Sequence, residues 1–207
     1  MNLLYFAYGS NMLTGRLRTQ VPSARPLGPG RLSGRRLVFH KRGTDGSAKA
    51  DCLQTGEPDD VLHGVLFEIA ATDRPALDRA DGLGQGCLDR RAQVLLEDGR
   101  QVEAFTDEVQ PEYYARELRP FSWYLAYVVE GAEEHGLPET HVARLRAVQT
   151  CEDPDPARGT GATGGGPSPA VGAEPAQRSG RWLHPSSTRS PPADPWLIAP
   201  ASSMAAL

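Results

Sequence analysis

The sequence predicts an α+β fold, a small mixed β-barrel with flanking helices. Two observations carry this. Short apolar and alternating runs dominate the first two thirds of the folded part, and segments of helical period close it. A third observation ends the domain: composition changes sharply near Cys151. Residues 152–207 hold ten of the 18 prolines, seven glycines and seven serines, without a hydrophobic period. Such a segment buries too little apolar surface to offset its ordering entropy. The expectation is therefore a domain over 1–151 and a disordered Pro/Gly/Ser-rich tail over 152–207. Two lysines stand against twenty arginines in the chain, which fits a GC-rich coding sequence and a second reading of the tail as a shifted reading frame or degenerate extension.

Leu3 to Tyr8 is an apolar and aromatic run that stops at Gly9-Ser10-Asn11, and reads as a buried strand entering a turn. Arg36 to His40 is a second strand candidate. Val61 to Ile69 alternates partly and follows Pro58-Asp59-Asp60, so it reads as a third. Thr72 to Ala80 has Pro75 in its first turn and Gly82 after its end. These mark a short helix with Thr72 or Asp73 as N-cap. Arg91 to Leu96 and Gln101 to Thr106 flank Asp98-Gly99, a strong hairpin signal. Ser122 to His135, with Gly136 beyond it, and Pro138 to Ala147 have helical spacing.

Bulk properties exclude several function classes. The net charge is −4 and the isoelectric point is about 5.7, which argues against nucleic acid or an anionic membrane surface as partner. No run reaches the roughly 20 apolar residues of a membrane helix, and the N-terminus lacks the basic region of a signal peptide. Cys52, Cys87 and Cys151 are odd in number and scattered. They form neither a disulfide framework nor a zinc spacing, and a reducing cytoplasm is the expected location. The five histidines show no metal-ligand spacing, and no nucleophile elbow occurs.

Two segments could carry chemistry. Tyr5-Phe6-Ala7-Tyr8-Gly9-Ser10-Asn11-Met12 ends a strand in small residues. A helix starting just after it would leave backbone N–H groups free to hold a carboxylate or a developing oxyanion. Local physics alone favours a plainer reading, with Ser10 or Asn11 as the N-cap of a helix over Met12 to Leu17. The second segment is Leu77-Asp78-Arg79-Ala80-Asp81-Gly82. Asp81 would meet the negative end of a helix dipole, which makes it a better base. The plainer reading is a solvated acid before a turn.

Taken together, these segments resemble the γ-glutamylcyclotransferase-like family. The resemblance rests on YFAYGSNM over 5–12, DGSAKA over 45–50, VLHGV over 61–65, LDRADG over 77–82 and GAEEHGLP over 131–138, in this order. It spans residues 3 to about 150 and leaves the tail outside. It implies a barrel-like fold working without metal or cofactor. It also implies release of 5-oxoproline from a small-molecule γ-glutamyl amide, as the substrate's α-amine attacks its own γ-carbonyl. Tyr5, Phe6, Ala7, Tyr8, Gly9, Ser10 and Asn11 would then bind the glutamyl moiety, and Tyr124 would contact the substrate. Asp81 takes the place of the family's glutamate general acid/base, one methylene shorter. Cys87 stands where the family often has an aromatic residue. These departures raise a second expectation, a binding protein of the same fold with weak or lost turnover.

Overall fold

The computed structural model describes residues 1–155 and 157–159. Five strands close a barrel in the order β1 (Asn2–Ala7), β5 (Val61–Ala70), β2 (Arg25–Ser33), β6 (Cys87–Leu96) and β7 (Gln101–Val109). Strands β1 and β7 meet in parallel at Tyr5 and Phe105, and the other neighbours run antiparallel. The sheet is thus mixed and closed, as expected from the sequence. Closure leaves this sheet without unpaired edges. A separate hairpin of β3 (Arg35–Arg42) and β4 (Ala48–Gln54) lies beside it. Four helices flank the sheets: α1 (Thr14–Arg18), α2 (Arg74–Asp81), α3 (Ser122–Glu134) and α4 (Glu139–Arg146). Among the described residues no helix is long and apolar enough to cross a membrane.

The core is one apolar cluster. Phe6, Phe39, Phe67, Phe105, Met12 and Leu17 are all fully buried within it. Burial of such side chains contributes about 1.5–3 kcal/mol each. Two glycines of the motifs above mark close approaches that hold these elements together. A Cβ on Gly64 of β5 would lie 2.4 Å from the Ala7 carbonyl oxygen and 2.6 Å from Phe6 Cζ. A Cβ on Gly131 of α3 would lie 2.5 Å from Leu13 N and 2.7 Å from the Met12 carbonyl carbon. Strand β1 and the turn after it are therefore clamped between β5 and α3 by residues that carry no side chain.

Helix α2 begins one residue after Asp73, but Asp73 does not cap it with its side chain. Its carboxylate instead accepts hydrogen bonds from Ser23 N (3.1 Å) and Ser23 Oγ (2.6 Å). Gly82 ends the helix in the left-handed region, at φ 75°, which a glycine adopts without strain. Packing continues past Cys151. Trp123 Nε1 donates to Asp153 at 2.9 Å, and the Arg158 guanidinium lies 3.3 Å from the same carboxylate. Residues 160–207, which make up most of the segment read as a tail, lie outside the described residues.

Candidate active site

Strand β1 delivers the first part of the site. Period-two alternation sends Phe6 into the core (0% exposed), and Tyr5 faces the other way, stacked on Phe105 with ring centroids 5.0 Å apart. After Ala7 the chain makes a single 3-10 turn over Ser10–Met12. The helix that follows, α1, starts from Leu13 and receives no side-chain cap. This overturns the reading of Ser10 or Asn11 as an ordinary N-cap.

Asn11 is committed elsewhere. Its Nδ2 donates to Asp81 Oδ1 at 3.0 Å, to Asp81 Oδ2 at 3.1 Å and to the Tyr5 hydroxyl at 3.0 Å. The Tyr5 hydroxyl in turn reaches Asp81 Oδ2 at 3.4 Å. Residues seventy positions apart in the chain thus meet as one cluster. Among the described residues, no acceptor takes the amide N–H of Gly9, Ser10 or Asn11. The turn therefore offers three unused backbone donors beside a carboxylate, an arrangement suited to holding an anion or a developing oxyanion.

Tyr124 braces the turn from α3. Its hydroxyl accepts a hydrogen bond from Ala50 N at 3.1 Å. A Cβ on Gly9 would press to 3.4 Å from that hydroxyl and 3.2 Å from Ala50 Cβ. The hydroxyl of Tyr8 donates to the Asp107 carbonyl oxygen at 2.9 Å. Phe6 and Ala7 have side chains 0% and 1% exposed, so only their backbone could face a ligand. Of the nine residues singled out from the sequence, Tyr5, Asn11 and Asp81 are brought together directly. Gly9, Ser10 and Tyr124 meet on the other side of the turn.

Two residues of this neighbourhood were not singled out from the sequence. Lys41 of β3 donates through Nζ to the Asp81 carbonyl oxygen at 2.7 Å and to Cys87 Sγ at 2.9 Å. It is a cation placed at the C-terminal end of α2, where the helix dipole favours one. Burial pushes the Lys41 pKa down, but Cys87 and Asp81 outweigh it and the net shift is upward. Asp107 of β7 places a second carboxyl group against that of Asp81, with a side-chain hydrogen bond between them. Burial, then the Asp81 charge and that hydrogen bond, hold Asp107 well above the usual carboxylate range. Burial, then Asp81 and Asp107, likewise raise the Tyr5 phenol well above its ordinary value. Cys87 is pushed up to about 11, chiefly by burial, so its thiol stays protonated and is no nucleophile at neutral pH.

Among the described residues no group of three or more His, Cys, Asp or Glu side chains is arranged to hold a metal ion. Two surface hollows lie elsewhere. One, of about 370 Å³, lies between β2 and β6 and is lined by Arg31, Arg35 and Arg91. The other, of about 340 Å³, is lined by Leu125, Val129 and Val148. Neither borders the Asp81 cluster, whose claim to function rests on its chemistry.

Comparison with known proteins points to the family that the sequence motifs resemble. The model of the AIG2-like family matches residues 61–145. Human gamma-glutamylcyclotransferase is 27% identical over 158 residues, which cover 72% of this chain and 79% of the relative. The protein of the same name from Bos taurus is 27% identical over 152 residues, with the same coverage of 72% and 79%. A solved structure of a gamma-glutamyl cyclotransferase superposes with a TM-score of 0.68 at 26% identity, covering 75% of this chain and 92% of the other. In fold and in sequence, the chain resembles the γ-glutamylcyclotransferase-like family.

Proposed function

We propose that the protein is a γ-glutamylcyclotransferase, which releases 5-oxoproline and a free amine or amino acid from a small γ-glutamyl amide. The observation that carries this reading is the convergence of Asp81, Asn11 and Tyr5 beside a turn with three unused amide donors. The turn over Gly9, Ser10 and Asn11 holds the glutamyl end of the substrate. Asp81 accepts a proton from the α-amine as its nitrogen attacks the γ-carbonyl carbon. The new C–N bond closes a five-membered lactam. A proton from the same carboxyl group then reaches the departing nitrogen as the old C–N bond breaks. Nothing is left on the protein, so one carboxyl group serves as base and then as acid. Because attack is intramolecular, the protein's main work is to hold the chain of the substrate in a near-attack shape.

The shorter side chain of Asp81 is supported on this reading by its fixed partners. Asn11 reaches both of its oxygens, and Lys41 anchors the carbonyl of the same residue. The binding-only alternative is not favoured, since the curated relatives carry the name of the enzyme. The three free cysteines fit a reducing compartment such as the cytoplasm. The test is 5-oxoproline release by the purified protein from a panel of γ-glutamyl amino acids, peptides and amines. Release above the uncatalysed rate from at least one of them is expected. No release from any member would overturn the assignment.

A further inference from the structure

We propose that Asp107 is a positioning residue for the reaction: it shares one proton with Asp81, and the two carboxyl groups work as a hydrogen-bonded pair carrying a single negative charge. This rests on the cyclotransferase reading for its catalytic consequence, but not for its physical content.

Phe105 and Asp107 lie two apart on β7 and so share a face. Phe105 pairs with Tyr5 and stacks on it, which sets Asp107 one step further along, toward the turn that carries Asn11. Helix α2 brings Asp81 to the same place. The Asp107 backbone is fixed there by the Tyr8 hydroxyl on its carbonyl oxygen. Two carboxylates in hydrogen-bonding contact cannot both ionise cheaply, and one keeps its proton.

The surroundings indicate which one. Asp81 receives Asn11 Nδ2 on both oxygens and the Tyr5 hydroxyl on one, so both of its oxygens already serve as acceptors. The side chain of Asp107 is held in its protonated form by burial and by the neighbouring charge. The other titratable groups facing the pair are Lys41 from β3, Arg74 from α2, Tyr5 from β1, Tyr8 from the turn after it and Cys87 from β6. Lys41 and Arg74 favour ionisation of Asp107 without reversing the order. Tyr5, Tyr8 and Cys87 are all neutral at neutral pH, because burial raises each of them.

The consequence for the reaction is a division of labour. Protonated Asp107 donates a hydrogen bond to the Asp81 carboxylate, fixing its orientation and leaving its outer lone pair for the α-amine. When Asp81 takes the amine proton, the pair is briefly neutral. When the leaving nitrogen takes a proton, the pair returns to a single negative charge. One proton enters and one leaves, so the balance closes without any other reactant.

Asp107→Asn and Asp107→Leu separate this role from simple packing. An asparagine amide donates to Asp81 as the protonated acid does, whereas leucine cannot. With the best γ-glutamyl substrate, Asp107→Asn should keep kcat/KM within about threefold of the parent near neutral pH. It should also lose the alkaline decline that the parent shows as the shared proton leaves. Asp107→Leu should fall by about 10- to 100-fold, the worth of a hydrogen bond to a charged group. A second readout needs no substrate: Tm against pH for the parent and Asp107→Asn. The parent should lose Tm as pH rises, because its folded state binds a proton that the unfolded chain gives up earlier. The asparagine variant should lack that loss, so that it is the more stable protein at pH 8 and equal to the parent near pH 4. Parallel Tm curves, or equal activities for the Asn and Leu variants beside an active parent, would overturn the proton-sharing pair. A flat activity assay with diverging Tm curves would overturn only the cyclotransferase reading.

Discussion

Gly131→Ala is the most informative single-atom change, because it tests whether the helix that closes the fold also sets the geometry of the site. The added Cβ would stand 2.5 Å from Leu13 N, 2.7 Å from the Met12 carbonyl carbon and 2.8 Å from Met12 Cβ. Ordinary contact needs about 3.5 Å, so the shortfall is about 1 Å. Two of the three atoms are backbone of the turn itself, which has no rotamer to change. Either α3 moves away or the turn moves toward Asp81. Overpacking of this kind costs about 1–3 kcal/mol. Against it stands a gain of up to about 1 kcal/mol from replacing glycine by alanine in a helix. The net loss of up to about 2 kcal/mol corresponds to a fall in Tm of up to about 8 °C. Activity should suffer more, because a 1 Å displacement of a positioned group costs on the order of 100-fold in rate. The control is Gly15→Ala in α1, where a new Cβ meets nothing within 4 Å. That variant should equal or slightly exceed the parent in Tm and keep full activity. The assay is 5-oxoproline release with Tm measured on the same preparations. If Gly131→Ala behaves like Gly15→Ala, the coupling between α3 and the turn is refuted.

Other perturbations follow from the same structure. Asn11→Ala removes the donor shared by Asp81 and Tyr5, and should lower kcat/KM about 10- to 100-fold, the worth of a hydrogen bond to a charged group; an unchanged value would show that Asn11 does not orient the base. His141 is 5% exposed, its Nε2 lacks a hydrogen-bond partner among the described residues, and burial, then His63 and Arg144, push it down to about 4. Its folded-state pKa lies below the unfolded one, so the stability it contributes is present above about pH 6.5 and drains away as pH falls toward 4, on the order of 3 kcal/mol in all. His141→Gln should therefore flatten the fall in urea midpoint between pH 7 and pH 4.5, and slopes equal to the parent's would contradict this.

Much of the fold was legible because its signals are local. The apolar run at Leu3 to Tyr8, the Asp98-Gly99 hairpin and the glycine after α2 each state their structure within a few residues. Strand β2 gave no such signal. Pro26, Gly28, Pro29 and Gly30 interrupt any strand pattern, yet a bulge between Pro26 and Gly28 absorbs the irregularity. Gly30 is needed because a Cβ there would lie 2.5 Å from Val94 Cγ1 across the sheet. Strand β4 was visible only as part of a motif. Its Asp51 is fully buried, accepting from Val109 N at 2.8 Å and lying 2.7 Å from His40 Nε2, an arrangement that no local pattern announces. The site divides the same way. Asp81 stood out through its position at a helix end, whereas Asn11 looked like a cap until β1 and α2 were set side by side. Asp107 has no local mark at all. It is one acid among the polar residues of a strand, and only the β1–β7 register carries it to Asp81.

The most direct test of the account compares the parent with Asp81→Asn in paired measurements of 5-oxoproline release and substrate binding, using the best γ-glutamyl compound. Asparagine keeps the size of the side chain and removes its capacity to accept the amine proton. The account predicts loss of turnover by at least about 100-fold, the usual contribution of a positioned acid/base, with Kd changed little. Turnover that persists in Asp81→Asn at the rate of the parent would contradict the assignment of Asp81 as the group that moves the proton.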